Sequence, residues 1–161
     1  MILDIRPTPP DHPQVLALIA ELDAYLASLY DPQDVYIVDL AGLQEPSVTF
    51  LGAWDGDSLV GCGAVRLMPA EPETDGRPYG EIKRMVVSAA RRGERIGEQV
   101  LNALERGLRQ RGIDRALMET GEELVQAARM YRTNGYAERG PFGEYLDNGS
   151  SLFLEKRWKT A

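Results

Sequence analysis

Apolar positions along the chain change period several times, and each change marks an element. Residues 2–6, ILDIR, alternate apolar and polar as a strand does, until Pro7, Pro9 and Pro10 stop the pattern. Asp11 and Pro13 have the character of an N-cap and an early helical proline. Val15, Leu18, Ile19, Leu22, Leu26 and Leu29 then recur at helical spacing, which predicts a helix ended by Tyr30-Asp31-Pro32. Residues 33–46 read as irregular, with one short helix around Val38–Leu43. Val48–Trp54 and Leu59–Met68 are strand-like and flank Asp55-Gly56-Asp57, a hairpin turn signal. The polar, proline-rich stretch 69–79 predicts a loop. Ile82–Val87 predicts a strand. Arg92–Arg111 predicts a helix with Ile96, Val100, Leu101, Leu104 and Leu108 on one face and Gly112 closing it. A strand at Arg115–Thr120, a helix at Glu122–Arg132 closed by Asn134-Gly135, and strands at Tyr136–Arg139 and Ser151–Lys156 complete the chain.

The order is β-α-(α)-β-β-β-α-β-α-β-β. Its β-α-β-α middle implies parallel strands joined by helical crossovers, and its hairpins imply antiparallel pairs. The expectation is a mixed α+β sheet. A length of 161 residues fits one domain, 1–161.

Composition narrows the function. With 43% hydrophobic residues the chain can build a core without a metal or disulfide staple. Cys62 is the only cysteine, which favours a reducing compartment, and it reads as a buried small hydrophobe. His12, the only histidine, sits at a helix start, too far from any partner to activate a nucleophile, and no metal-ligand spacing is present. The N-terminus has no signal-peptide pattern and no apolar run approaches a membrane span, so the expected location is the cytoplasm. A net charge of −7 argues against nucleic acid as a partner.

Against that acidic background, Arg84, Arg91, Arg92 and Arg95 fall within twelve residues. A helix N-terminus leaves N–H groups unpaired and carries partial positive charge. Glycine lets a phosphate approach, and arginine adds forked donors. Arg91-Arg92-Gly93-Glu94-Arg95-Ile96-Gly97 supplies all three, and reads either as a pyrophosphate cradle or as a solvated basic helix start. A Walker loop needs Lys and Ser/Thr after its last glycine, whereas Glu98 and Gln99 follow Gly97. The dinucleotide fingerprint also fails, because Gly93 and Gly97 are four apart.

The segment resembles motif A of the GCN5-related N-acetyltransferases, Arg/Gln-x-x-Gly-x-Gly/Ala, except that Arg95 replaces its first glycine. Glu81-Ile-Lys-Arg-Met-Val-Val resembles the family's fourth strand, and Met118-Glu119-Thr120-Gly121 the end of its fifth. Ala127-Ala-Arg-Met-Tyr131-Arg-Thr-Asn-Gly135-Tyr136 is similar to its A-x-x-x-Y-x-x-x-G-F/Y segment. The resemblance covers nearly the whole chain. It implies a mostly antiparallel sheet of about six or seven strands, a parallel pair of fourth and fifth strands, and about four flanking helices.

It also implies acetyl-CoA as cosubstrate, held by Met85, Val86, Val87, Arg91, Arg92, Gly93, Glu94, Arg95, Ile96, Gly97 and Ala128. Backbone N–H groups near Val86 and Val87 would meet the oxyanion. For the base, Glu81 lies eleven residues before Arg92, as in the histone-acetylating branch. Glu119 lies twelve before Tyr131, as in the ribosomal-protein-acetylating branch. Tyr131 matches the tyrosine placed near the coenzyme A sulfur, where a phenol can protonate a thiolate. Tyr30, Trp54, Tyr145 and loop 69–79 are candidates for the acceptor pocket. A homodimer through the C-terminal strands is common in the family. The leading expectation is direct acetyl transfer to a primary amine of a small molecule or peptide. The alternatives are an acetyl-CoA-binding sensor or partner module without catalysis and, less favoured, an ATP- or NAD-binding protein.

Overall fold

The computed structural model describes residues 2–35 and 38–160. Residues 36 and 37, within the stretch read as irregular, lie outside the described residues. The strands are β1 (Asp4–Pro7), β2 (Val48–Asp55), β3 (Ser58–Met68), β4 (Tyr79–Val87), β5 (Arg115–Gly121), β6 (Ala137–Arg139) and β7 (Ser151–Arg157). They form one sheet in the order β1-β2-β3-β4-β5-β7-β6, antiparallel throughout except for the parallel pair β4–β5. The α-helices among the described residues are α1 (Pro13–Leu29), α2 (Leu40–Leu43), α3 (Ile96–Gln110) and α4 (Val125–Thr133).

Each sheet face has its own cover. On one face α3, through Val100, Leu101 and Leu104, and α4 close over Val60, Val65, Ile82 and Met118. On the other, α1 covers Phe50, Trp54, Cys62 and Ala64. Farther along that second face Tyr79, Leu117, Phe142 and Phe153 pack together beneath the segment that leads to β7. Burying each large apolar side chain contributes roughly 1.5–3 kcal/mol.

Among the boundaries that differ from the sequence reading, four have a clear local reason. The N-cap of α1 is His12 rather than Asp11, and its Nδ1 accepts from the Gln14 N–H at 3.1 Å. Strand β4 begins at Tyr79, three residues earlier than its apolar run. Gly80 and Glu81 hide the pattern: a Cβ on Gly80 would meet Leu108 at 2.5 Å, and Glu81 is a buried polar residue. Helix α3 starts at Ile96 instead of Arg92, because Gly93 (φ 84°) and Arg95 (φ 60°) occupy left-handed backbone that cannot continue a helix. Helix α4 starts at Val125 instead of Glu122, after a turn in which the Leu124 N–H bonds the Gly121 carbonyl.

The feature that shapes the molecule is the pairing of β4. Along β3 it is continuous but for a bulge: Cys62 faces Val86 and Ala64 faces Lys83, so Arg84 and Met85 together oppose Gly63. Arg84 takes the left-handed backbone (φ 56°) there. The extra residue reverses the alternation, so Ile82 and Met85 lie on the same face. Toward β5, strand β4 pairs only at Gly80–Ala116 and Glu81–Leu117. Both strands then run on, β4 along β3 to Val87 and β5 along β7 to Gly121, with no pairing between them. A bulge increases local twist, and here it marks where the two strands part.

Gly63 sits beneath the bulge, where a Cβ would meet Met85 Sδ at 2.3 Å and Val100 Cγ1 at 2.9 Å. Overpacking of this kind costs about 1–3 kcal/mol. Gly63→Ala is therefore expected to lower the melting temperature by several degrees in differential scanning calorimetry. An unchanged midpoint would show that the bulge yields freely.

Candidate active site

The parted strands open two cavities that meet. A groove of about 640 Å³ lies on the α3/α4 side. Its walls include Met85, Val86 and Val87 of β4, the turn Arg91–Arg92–Gly93, the start of α3 (Arg95, Ile96, Gly97), and Tyr25 of α1. A cavity of about 130 Å³ lies beside it, lined by Tyr30, Asp34, Lys83, Arg84, Glu119, Tyr145 and Ser150 among others. The two share Leu22, Met85, Leu124, Ala127 and Tyr131.

The groove's polar end is made of backbone. The first i→i−4 bond of α3 runs from the Gln99 N–H to the Arg95 carbonyl, and Arg95 provides no side-chain cap. Among the described residues, nothing caps the N–H groups of Ile96, Gly97 and Glu98. Such a helix start is a ready site for an anion. Arg92 and Arg95 stand beside it. Arg91 is engaged otherwise, donating to Glu94 at 2.8 Å and to Asp55 at 3.0 Å. Glu94 therefore acts as the partner of Arg91 rather than as a groove wall. Ala128 is packed in the core, 4% exposed, and its neighbour Ala127 reaches the groove.

Tyr131 lies at the junction of the cavities. Its hydroxyl has no hydrogen-bond partner among the described residues. Burial alone raises its pKa, so it stays a protonated donor. Glu119 lies on the wall of the smaller cavity, accepting a hydrogen bond from Ser151 Oγ at 2.7 Å. Burial pushes its pKa up, partly offset by that bond and by the Lys83 charge, while the Glu81 charge pushes it up further. A carboxylate raised in this way moves toward the range useful to a general base.

Glu81 is placed differently from the strand-end carboxylate expected from sequence. It is inside β4, 4% exposed, and its Oε2 accepts from Tyr145 Oη (2.5 Å) and Lys83 Nζ (3.3 Å). It borders a separate acid-rich hollow of about 870 Å³ rather than the smaller cavity. Tyr145, from the segment before β7, also accepts from Lys83 Nζ at 2.7 Å. Tyr30 closes the cavity from the end of α1. Its hydroxyl accepts from the Glu123 N–H at 2.9 Å and lies over Gly121, where a Cβ would come within 2.0 Å of it.

Trp54 takes no part. It is buried under α1, donating to Thr8 Oγ1 at 3.0 Å. Of the loop 69–79, Glu71, Glu73 and Tyr79 line only the acid-rich hollow. Cys62 is buried beside the bulge, its thiol pushed up to about 12 by burial, which leaves it a poor nucleophile. Sequence reasoning missed Lys83, and counted Arg84 with the basic cluster rather than with the bulge. Arg84 clasps Asp23 of α1 through both terminal nitrogens, at 2.5 and 3.3 Å. The signal for it was the broken alternation of Ile82-Lys83-Arg84-Met85.

Comparison with known proteins agrees with this architecture. The sequence model of the acetyltransferase (GNAT) family matches residues 15–136. An IAA acetyltransferase of Azospirillum brasilense is 41% identical over 88% of this chain and 89% of its own. A Klebsiella pneumoniae structure assigned to the acyl-CoA N-acyltransferases is 32% identical, with a TM-score of 0.77 over 97% of each chain. The PaiA N-acetyltransferase of Thermoplasma acidophilum, solved with coenzyme A, shares the fold at 17% identity, with a TM-score of 0.75 over 98% of this chain and 100% of that one. The chain belongs to the acetyltransferase (GNAT) family.

Arg95 explains its own departure from the family pattern: the position demands left-handed backbone, which glycine adopts without strain. Arg95→Gly is expected to be more stable than Arg95→Ala by about 0.5–1 kcal/mol, after allowing for glycine's larger unfolded-state entropy. Parallel denaturant titrations measure the difference. Equal midpoints would mean that the turn changes conformation.

Proposed function

We propose that the protein transfers an acetyl group from acetyl-CoA directly to a primary amine, the two substrates meeting at Tyr131. The observation that carries this reading is the shared wall of the two cavities. A long groove with a free helix start and a small carboxylate-bearing cavity converge on one unbonded phenol.

In this reading the coenzyme's pyrophosphate lies on the N–H groups of Ile96, Gly97 and Glu98, with Arg92 and Arg95 beside it. The pantetheine follows the edge of β4 that β5 leaves unpaired, along Met85–Val87. The acceptor enters on the other side, past Tyr30. That mouth is a hollow of about 400 Å³ bordered by Asp31, Asp34, Glu122 and Glu123, and among the described residues no Lys or Arg lines it. Such a field favours an acceptor that arrives as an ammonium ion.

Glu119 removes a proton from that ammonium, freeing the nitrogen lone pair to attack the thioester carbon. Charge that develops on the carbonyl oxygen is met by a backbone N–H near Val86 or Val87. The carbon–sulfur bond breaks, the departing thiolate takes the proton of Tyr131, and the second proton of the attacking nitrogen passes to the Tyr131 phenolate, leaving a neutral amide. Glu81 supports the wall from its bonds to Lys83 and Tyr145.

Two outcomes test these roles. Tyr131→Phe is expected to lower kcat about 10- to 100-fold, with the acetyl-CoA Kd within about threefold, in a thiol-release assay paired with calorimetry. Equal turnover would remove Tyr131 from the chemistry. Because burial raises Glu119, its charged, proton-accepting form exists only above that raised pKa. The rate should fall as pH drops through it, on a limb above the ordinary carboxylate range. Glu119→Gln should abolish that limb and most of the activity, and a wild-type profile in this variant would exclude Glu119 as the base.

A further inference from the structure

Lys83 has no counterpart in the reading above, yet it is the most constrained lysine near the site. Its side chain is 14% exposed, donating to Glu81 and Tyr145. Glu81 on β4 stands opposite Leu117 on β5, so Lys83 and Glu119, two residues further along each strand, head the diverging strands on the same face. Lys83 also lines both the smaller cavity and the acid-rich hollow, and its bond to Tyr145 belongs to the wall between them. A buried ion pair of this kind contributes little net stability compared with apolar side chains of similar volume. Its retention beside the acceptor cavity calls for another reason.

The charged and titratable groups around Glu119 come from every neighbouring element. They are Glu81, Lys83 and Arg84 of β4, Tyr30 and Asp34 at and after the end of α1, Glu122 and Glu123 before α4, Tyr131, and Tyr145. Ser151 of β7 adds a hydroxyl donor. Acidic groups dominate this set. Of the two cations, Arg84 is held in a forked pair by Asp23. Lys83, itself paired with Glu81, heads β4 on the same face as Glu119, and its effect on Glu119 exceeds the opposing effect of Glu81.

We propose that Lys83 is a positioning residue for acetyl transfer: pinned by Glu81 and Tyr145 where the strands part, its ammonium keeps Glu119 ready to accept the acceptor's proton. Glu81 is then the anchor and counterweight of that ammonium rather than a second base. The inference rests on Glu119 being the base.

The test is a direct titration of Glu119 by carboxyl ¹³C NMR on the full chain without coenzyme, the signal assigned by its loss in Glu119→Gln. Removing the cation with Lys83→Met should raise the Glu119 midpoint by about half a pH unit or more. Removing the counterweight with Glu81→Gln should lower it, and Lys83→Arg should leave it near the wild type. The acid limb of kcat/KM, measured with acetyl-CoA and 1,4-diaminobutane, should follow. A half-unit rise lowers the rate below the limb about threefold. A purely structural role would slow both variants without moving their limbs in opposite directions. An unmoved midpoint in Lys83→Met, shifts of the same sign in both variants, or a limb that ignores the NMR midpoint would overturn the inference. Full turnover by Glu119→Gln would instead overturn the reading on which it rests, whatever the Lys83 variants do.

Discussion

The parallel pairing of β4 with β5 stops after two residue pairs, and the rest of the site depends on that stop. Continued pairing would place the backbone of Met85–Val87 against β5 and leave no groove. The strands part because β4 is held on its other edge by β3, through a bulge that twists it, while β5 is held by β7. Arg84 fixes the bulge at some strain. Its left-handed backbone is sustained by a forked ion pair to α1, so the helix over the second face and the kink in the strand lock each other. One interruption thus yields an unpaired strand edge, a wedge between strands, and a helix positioned to wall it.

The electrostatics follow the same division. The chain is acidic overall, yet the helix start on the groove side offers free N–H groups with Arg92 and Arg95, while the acceptor side presents carboxylates. In the proposed reading, an anionic donor and a cationic acceptor are drawn to opposite faces of one opening. Where the faces meet, burial acts on both titratable groups. It keeps Tyr131 protonated, as a hydrogen-bond donor, and raises the proton affinity of Glu119, which suits that carboxylate to take a proton.

Much of this was legible from residues. The strand and helix order followed from periodicity, and the Arg-Gly cluster marked the helix start that forms the polar end of the groove. What escaped was set by tertiary context. The surroundings of Glu81 are hidden because nothing nearby in sequence announces Tyr145, 64 positions later, as its partner. Ala128 and Ala127 are indistinguishable until the start of α4 is known, and that start shifts by three residues because Glu122–Leu124 form a turn. The start of α3 was misread because arginine rarely takes the left-handed conformation that Arg95 adopts, so the sequence carries no glycine to mark it.

The most direct test of the central claim is amide hydrogen exchange with and without acetyl-CoA. A coenzyme lying along the parted edge of β4 and on the start of α3 should protect amides within residues 84–99 and 125–131 and leave β1, β2 and β6 unchanged. No protection of those segments, or protection confined to the acid-rich hollow around Glu71 and Glu144, would contradict the account.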